Sequence, residues 1–503
     1  MENFDIAIIG AGVVGSAIAR ELSKTTARVV VFEQHADVAF GISGRNSGVV
    51  HSGIHYKPGS LRARLDVAGN AGMEKLCRDL YVPFERLGKL TVAFDQSQTM
   101  ELERLKEQGD ANGVPGLDLL ESSQMRTLQP GIAGIKALHS PTTGIVNPMM
   151  LTIALAEHAY QNGVSWKFLH TVESITTENH NSFIIGCSTL DGFRSYKASI
   201  VVNCAALHAN KIAAMTAFNE HTVYPCRGEY YVLDKRLKDE LNILVYPVPS
   251  AHSGGLGIHL TKTTEGNILI GPSNEYIDDP DDESSTRPVM EILKNEGNEL
   301  LPSLQTSDFI RSFAGIRPKL TPPEKGGYSD FVITSQPDLP NIIHLLGIES
   351  PGLTSAPAIA EMVTGLIDNR LPLKLKREWK PSFHDNDELY RRAYPASHYP
   401  LAERQEMIEA NPDFGSIICR CEEISKAEIV SAIKRMFGPI TIIGIKNRSR
   451  ISTGRCQGGF CIPRIVSILH NEFGIQSKDI WLKGPDSPMF EGTLRQSGGY
   501  HEI

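Results

Sequence analysis

Residues 5–33 read DIAIIGAGVVGSAIARELSKTTARVVVFE, and this stretch decides the fold. Asp5 to Ile9 predicts a short apolar strand. The turn Gly10-Ala11-Gly12-Val13-Val14-Gly15 follows, then the helical run Ser16 to Lys24. A second apolar strand, Arg28 to Phe32, ends in Glu33, 21 residues after Gly12. Strand, glycine turn, helix, strand and acid stand in the register of a dinucleotide-binding unit. The glycines permit the turn, close approach of a pyrophosphate and close helix packing. The helix N-terminus receives negative charge, and Glu33 suits a ribose hydroxyl.

Four cysteines near the C-terminus are the second signal. Cys419 and Cys421 form C-x-C, and Cys456 and Cys461 form C-x-x-x-x-C after 34 intervening residues. The other four, Cys77, Cys187, Cys204 and Cys226, lie singly in apolar or strand-like stretches. Four close thiolates serve either zinc or a 2Fe–2S cluster. Disulfides fit poorly in a chain without export signals, and zinc ribbons space each pair as C-x-x-C. Whether the dinucleotide is NAD or FAD is not set by the glycine motif. A cluster needs electrons singly, which a flavin releases and a nicotinamide does not. The two halves explain each other best as FAD plus 2Fe–2S.

At 503 residues, two or three domains with ample core are expected. Hydrophobic content of 41 % and charged content of 21 % describe a globular protein. The net charge of −8 gives no basic footprint for nucleic acid. No apolar run approaches the roughly 20 residues that span a bilayer. A strand beginning at Asp5 leaves no room for a signal peptide, and the thiols suit a reducing cytoplasm.

Along the chain, the glycine-rich loop Gly41–Ser60 follows the nucleotide strands. Residues 97–129 read as helical and charged, and a helix runs from Pro148 to Asn162. Val164 to Ile175 and Ile200 to Cys204 read as strands. Residues 216–320 are rich in β-formers and predict a mostly antiparallel sheet over the active site. A strand over 341–348 precedes a helix opening at Ser350–Pro357 and reaching Leu366. Residues 370–412 read as a surface linker. In the C-terminal part, Ser425 and Glu428 predict a capping box and a helix to Phe437. Thr441 to Ile445 reads as a short strand, and Ile462 to Phe473 as a helix. Between Cys456 and Cys461, Gln-Gly-Gly-Phe can turn backbone N–H groups toward sulfur.

The loop GRNSGVVHSGIHYKPGSLRARL, the segments PCRGEYYVL, YPVPSAHSGGLGIHLT and GNILIGPSNEY, and FAGIRPK with GIESPGLTSAPAIAEMV resemble the D-amino-acid-oxidase-like flavoproteins. The closest resemblance is to the branch of L-2-hydroxyglutarate oxidases and glycerol-3-phosphate oxidases and dehydrogenases. It covers residues 1 to about 372. CRCEEISKAEIV to GRCQGGFCIPR resembles the bacterioferritin-associated-ferredoxin-like 2Fe–2S domain. One departure is clear: VVNCAALHAN has Ala206 or Leu207 where the family strand continues into glycine.

The resemblance implies an α/β fold: a Rossmann-type FAD-binding domain, an inserted mostly antiparallel β substrate domain, and a small C-terminal α+β cluster domain. The FAD-dependent oxidoreductase domain would span 1–372, with FAD-binding parts near 1–90, 145–215 and 330–372 and substrate parts near 91–144 and 216–329. A linker, 373–412, would precede the cluster domain, 413–480, and a tail, 481–503. The cofactor residues implied are Gly10, Gly12, Gly15, Glu33, Arg45, Asn46, Ser47 and Gly352, Leu353 and Thr354. The cluster ligands implied are Cys419, Cys421, Cys456 and Cys461. His51 is the candidate base, with His259 its rival; His55 and Tyr56 would line the pocket. Arg317 would anchor an anionic group through its planar fork. Arg227 is a weaker candidate for that role, and Lys319 reads as solvated. The activity implied is oxidation of the secondary alcohol of a small anionic substrate. Glycerol 3-phosphate comes first and L-2-hydroxyglutarate second; amine or amino-acid oxidation, or a redox subunit with a silent flavin site, are further readings. Electrons would leave through the cluster to a protein subunit, a second flavoprotein or a quinone-linked one.

Overall fold

The computed structural model describes residues 1–179, 182–249, 257–301, 304–383 and 394–492. Part of the YPVPSAHSGGLGIHLT run, residues 250–256, lies outside them, as do 384–393 of the expected linker and the end of the expected tail. The chain divides into two compact units. One comprises Met1–Glu33 and Ala39–Ser382, the other Gln34–Val38 and Phe383–Ile503.

The first unit holds two large sheets. In the eight-stranded sheet, Glu2–Ile9 lies parallel between Val29–Phe32 and Gly192–Asn203, and Ile342–Leu346 adds in parallel beside Val201–Asn203. Strands covered on both faces read as continuous apolar runs, and Val29–Phe32 is buried throughout. Each such side chain contributes roughly 1.5–3 kcal/mol on burial. The helix Val13–Leu22 buries Ile18 and Leu22 and packs on the helices Pro148–Gln161 and Gly352–Asp368. Gly10 has φ +105°, a conformation few other residues adopt, and a Cβ at Gly15 would stand 2.0 Å from the Gly10 carbonyl oxygen. The turn therefore tolerates no side chain at either position.

The second, nine-stranded sheet is mostly antiparallel; among its pairings only Leu244–Pro247 with Lys89–Ala93 is parallel. Its longest pair joins Tyr224–Leu233 to Phe309–Lys319, with Cys226 opposite Arg317 and Gly228 opposite Gly315. The amphipathic helix Arg287–Leu300 covers one face through Met290 and Leu293. The run 97–129 is not one helix. Helix Thr99–Ala111 stops before Gly113, Pro115 and Gly116, then strand Asp118–Glu121 and helix Ser122–Leu128 follow.

In the C-terminal unit, helices Lys426–Arg435, Ile442–Ser449 and Ile462–Phe473 enclose an isoleucine-rich core with Cys419 and Cys461 inside it. The capping box at Ser425 forms: Ser425 and Glu428 each bond the other's backbone N–H. The strand expected at Thr441–Ile445 is instead the start of a helix. Thr441 Oγ1 accepts from the Gly444 N–H at 3.0 Å, and this N-cap outweighs the β-branched run behind it. The sequence also gave no sign that Gln34–Val38, directly after Glu33, packs in this unit. Asp37 there takes the Arg448 guanidinium in a two-armed pair, one arm at 3.1 Å, with both side chains almost fully buried.

Candidate functional site

A cavity in the first unit is walled by the glycine turn and helix start (Gly12–Gly15), the loop Ile42–Ser47, His51, Tyr230, Tyr246, His259, Arg317, Tyr328 and Glu349–Leu353. Two helices open onto it, Val13–Leu22 and Gly352–Asp368; neither N-cap residue supplies a capping side chain, although Ser43 Oγ accepts the Val13 N–H at 2.8 Å. Their N–H groups are donors for anionic or carbonyl oxygens. Glu33 Oε2 accepts the Ala11 N–H at 2.8 Å, bracing the glycine turn. Arg45 lines the cavity, pairs with Glu283 at 2.6 Å and donates to Ala314 O. Asn46 serves its own loop through Ile42 O, Ser43 O and the Gly48 N–H. Thr354 is not part of the wall. Its hydroxyl accepts the His51 N–H at 2.9 Å and so fixes the backbone of that histidine. At the departure in VVNCAALHAN, Ala206 lines the cavity and holds φ +50°, a glycine conformation without glycine.

The titratable groups converge on one end of the cavity. His51 Nε2 lies 3.2 Å from Ser350 Oγ, and its Nδ1 is buried without a hydrogen-bond partner. Burial, then the charges of Lys89, His259 and Arg62, hold its pKa well below the ordinary histidine value. His259 stacks on Tyr246 with ring centroids 3.7 Å apart, and its Nδ1 meets Gly257 O at 2.8 Å. A carbonyl can only accept, so Nδ1 carries the proton and Nε2 keeps its lone pair. Burial, against the Gly257 bond, lowers its pKa to about 3. Burial therefore holds both imidazoles in their neutral form, with a lone pair on one ring nitrogen.

Arg317 faces the cavity from the strand Phe309–Lys319. Its Nε and Nη2 donate to Cys226 O, Arg227 O and Ser273 O, the last at 2.5 Å, and among the described residues no carboxylate pairs with it. Burial opposes its charge, but Cys226, Tyr230, Glu349 and Tyr328 raise its pKa, so it stays cationic. Arg227 is committed elsewhere, to Glu275 at 2.7 Å and Asp282 at 2.6 Å. Lys319 is not solvated: it is fully buried, donates to Gly327 O at 2.9 Å and lies 4.8 Å from the Tyr328 ring centroid.

Sequence reasoning missed a cluster of buried charged groups next to Tyr246 and His51; neither it nor His55 and Tyr56, expected in the pocket, lines the cavity. Lys89 is fully buried, with its Nζ 3.0 Å from His55 Nε2 and 4.8 Å from the Tyr246 ring centroid. Burial, partly offset by Asp66, lowers its pKa to about 7. Asp66 is as deeply buried, neither oxygen finds a donor at hydrogen-bonding geometry, and burial raises its pKa well above the carboxylate range. Arg62 reaches Glu349 at 3.1 Å and sits against the rings of Tyr56, Tyr328 and Phe331. A lysine inside the apolar run Leu87–Phe94 was the only available signal.

In the C-terminal unit the four cysteines fall into two interacting couples, Cys421 with Cys456 and Cys419 with Cys461. The first couple is exposed and the second buried. Among the described residues no three His, Cys, Asp or Glu side chains close around a single metal ion. Two thiol couples instead match a binuclear cluster, in which each iron takes two. The Phe460 N–H, opposed by burial and helped by Cys421 and the N–H groups of Gly458 and Gly459, lowers the Cys456 pKa. Burial raises that of Cys461 to about 12.

Residues 5–366 match the FAD dependent oxidoreductase (DAO) family, and residues 417–471 match the BFD-like 2Fe-2S binding domain. The chain belongs to the FAD-dependent oxidoreductases. Its cofactors are FAD and a 2Fe–2S cluster, and the helix N-termini at the cavity and the two thiol couples fit them. Glycerol 3-phosphate dehydrogenase of Caloramator mitchellensis is 39 % identical over 95 % of this oxidoreductase and 96 % of the relative. The mitochondrial L-2-hydroxyglutarate dehydrogenase of Arabidopsis thaliana is 33 % identical over 72 % of this chain and 83 % of its own. The reduced, FAD-bound L-alpha-glycerophosphate oxidase of Mycoplasma pneumoniae superposes with a TM-score of 0.69 at 28 % identity, covering 76 % of this chain and 99 % of its own. No described helix is long and apolar enough to cross a membrane.

Proposed function

We propose that this oxidoreductase oxidises sn-glycerol 3-phosphate to dihydroxyacetone phosphate and passes the electrons to a partner protein. The observation that carries the substrate is the glycerol 3-phosphate dehydrogenase relative, which is similar over 95 % of this chain. The cavity supplies what such a substrate needs. Arg317 is a half-buried cation with no carboxylate partner among the described residues, and it meets the phosphate. His51, neutral and fixed at its backbone by Thr354, takes the hydroxyl proton at Nδ1, the nitrogen without a partner. His259 offers a second acceptor at Nε2, its tautomer set by Gly257 O. Tyr246, fully buried in the cavity wall, keeps water from the reacting carbon. Bound FAD supplies the acceptor for the hydride leaving that carbon, and the cluster supplies single-electron steps onward.

The L-2-hydroxyglutarate reading keeps the same residues and exchanges phosphate for carboxylate at Arg317. The relatives named for that substrate favour it. Anaerobic flavin bleaching with sn-glycerol 3-phosphate, L-2-hydroxyglutarate, glycerol and a set of amino acids decides between them. The proposal expects the fastest bleaching with sn-glycerol 3-phosphate. Faster bleaching by the hydroxy acid would replace the substrate and leave the residue roles standing.

A further inference from the structure

The cluster domain differs in charge from the rest of the chain. Residues 413–480 hold ten Lys and Arg against six Asp and Glu, a net +4; the whole chain carries −8, which leaves −12 elsewhere. The positive charge gathers where the cluster's ligands reach the surface. Cys421 and Cys456 are the exposed couple, Arg420 and Arg455 precede them in sequence, and all four are exposed. The Phe460 ring lies between two guanidinium groups, with Arg420 at 4.5 Å and Arg464 at 3.8 Å from its centroid. The same residue's N–H points at Cys456 sulfur, so this cation–aromatic stack is built onto the ligand loop. Of the two adjacent carboxylates, Glu422 is buried at 3.5 Å from Arg450, and only Glu423 is exposed.

We propose that the face formed by Cys421, Cys456, Phe460 and Arg420, Arg455 and Arg464 docks an acidic one-electron carrier protein. This deepens the dehydrogenase reading above and rests on it for the direction of flow. Three arguments select the occupant. Of the two thiol couples, only Cys421 and Cys456 reach solvent. The arginines form a cationic rim suited to carboxylates ringing a partner's redox centre. Such rims act mainly on encounter rate and salt dependence. Two equivalents of carrier balance each substrate, whose two electrons cross singly while both protons go to solvent.

The test uses the full-length protein with both cofactors and an acidic flavodoxin as probe. Binding is followed calorimetrically, and reduction of the probe by dithionite-poised protein is followed by stopped flow. The expected result is affinity at low salt that falls about tenfold or more at about 0.3 M salt, where the Debye length shrinks to roughly 6 Å. R420E/R455E/R464E should lose about tenfold or more at low salt, with iron content and substrate bleaching of flavin unchanged. R420K/R455K/R464K should bind nearly as the parent. Salt-independent binding of the parent protein would overturn the proposal without reference to any variant. So would slower flavin-to-cluster transfer in the charge-reversed protein with unchanged probe binding, since the charge would then serve the chain itself. Binding to phosphatidylglycerol vesicles in place of flavodoxin would reassign the face to a membrane. Failure of every substrate to bleach flavin would sink the dehydrogenase reading and leave this binding result intact.

Discussion

Burial governs the protonation of the cavity's histidines; in the cluster domain it governs Cys461 as well but yields at Cys456 to main-chain dipoles. At the cavity and beside it, burial pushes His51, His259, Lys89 and Asp66 toward their neutral forms. At the cluster loop, backbone N–H groups of Gly458, Gly459 and Phe460 pull Cys456 toward its anion. Desolvation disfavours charge and oriented dipoles reward it. The first keeps a base unprotonated; the second suits a sulfur that must hold a cation. The cavity thus holds its histidines neutral beside a cationic Arg317, while main-chain N–H groups favour the anion at one exposed cysteine.

The largest effect comes from that cysteine. Cys456→Ser should abolish the cluster, read as loss of iron and sulfide, while substrate still bleaches flavin. Retained iron would break the assignment of Cys456 as a ligand. Next comes the cavity's base. His51→Ala should slow flavin bleaching by about 10²–10⁴-fold, the usual cost of a lost general base, with little change in substrate affinity. The same loss in His259→Ala with normal His51→Ala would exchange the two roles. Because both imidazoles are neutral well below the ordinary value of about 6.5, bleaching by the parent protein should not fall as pH drops from 8 through that value.

Arg317→Met should weaken binding of sn-glycerol 3-phosphate by roughly 2–5 kcal/mol and leave uncharged glycerol nearly unaffected, with lysine a partial rescue. Equal weakening of both ligands would make Arg317 a structural residue that serves its three carbonyl partners. The smallest effect sharpens the desolvation side. Lys89 has a folded pKa near 7, below its unfolded value of about 10.5, so its charge opposes folding. That penalty is full below pH 7, fades as pH rises between the two values, and is gone above them. Lys89→Met should therefore raise the melting temperature most at pH 6 and least at pH 10. An increase independent of pH would show that packing, not charge, is responsible.

Legibility in sequence followed locality. The glycine turn and the capping box at Ser425 are short-range patterns, and each formed as the sequence predicts. Thr441–Ile445 misread because one capping hydroxyl overrode a β-branched run. The break within 97–129 turned on three residues, Gly113, Pro115 and Gly116, inside a charged pattern. What stayed hidden was made by distant partners. Lys89, His55, Asp66 and Tyr246 meet only when the second sheet closes over the loop after Val50. Asp37 finds Arg448 across more than 400 residues. No spacing rule reaches that far. Lys319 and Arg227 carry the same lesson, since a cation's partner is a property of the fold.

The central claim is that the cavity receives the substrate's electrons before the cysteines of the C-terminal unit do. Rapid mixing of the anaerobic holoenzyme with sn-glycerol 3-phosphate, followed in the flavin band and by the cluster's low-temperature paramagnetic signal, tests it most directly. The account predicts flavin bleaching first and the cluster signal after it, with bleaching alone in Cys456→Ser. A cluster signal that precedes bleaching, or bleaching that disappears with the cluster, would contradict it.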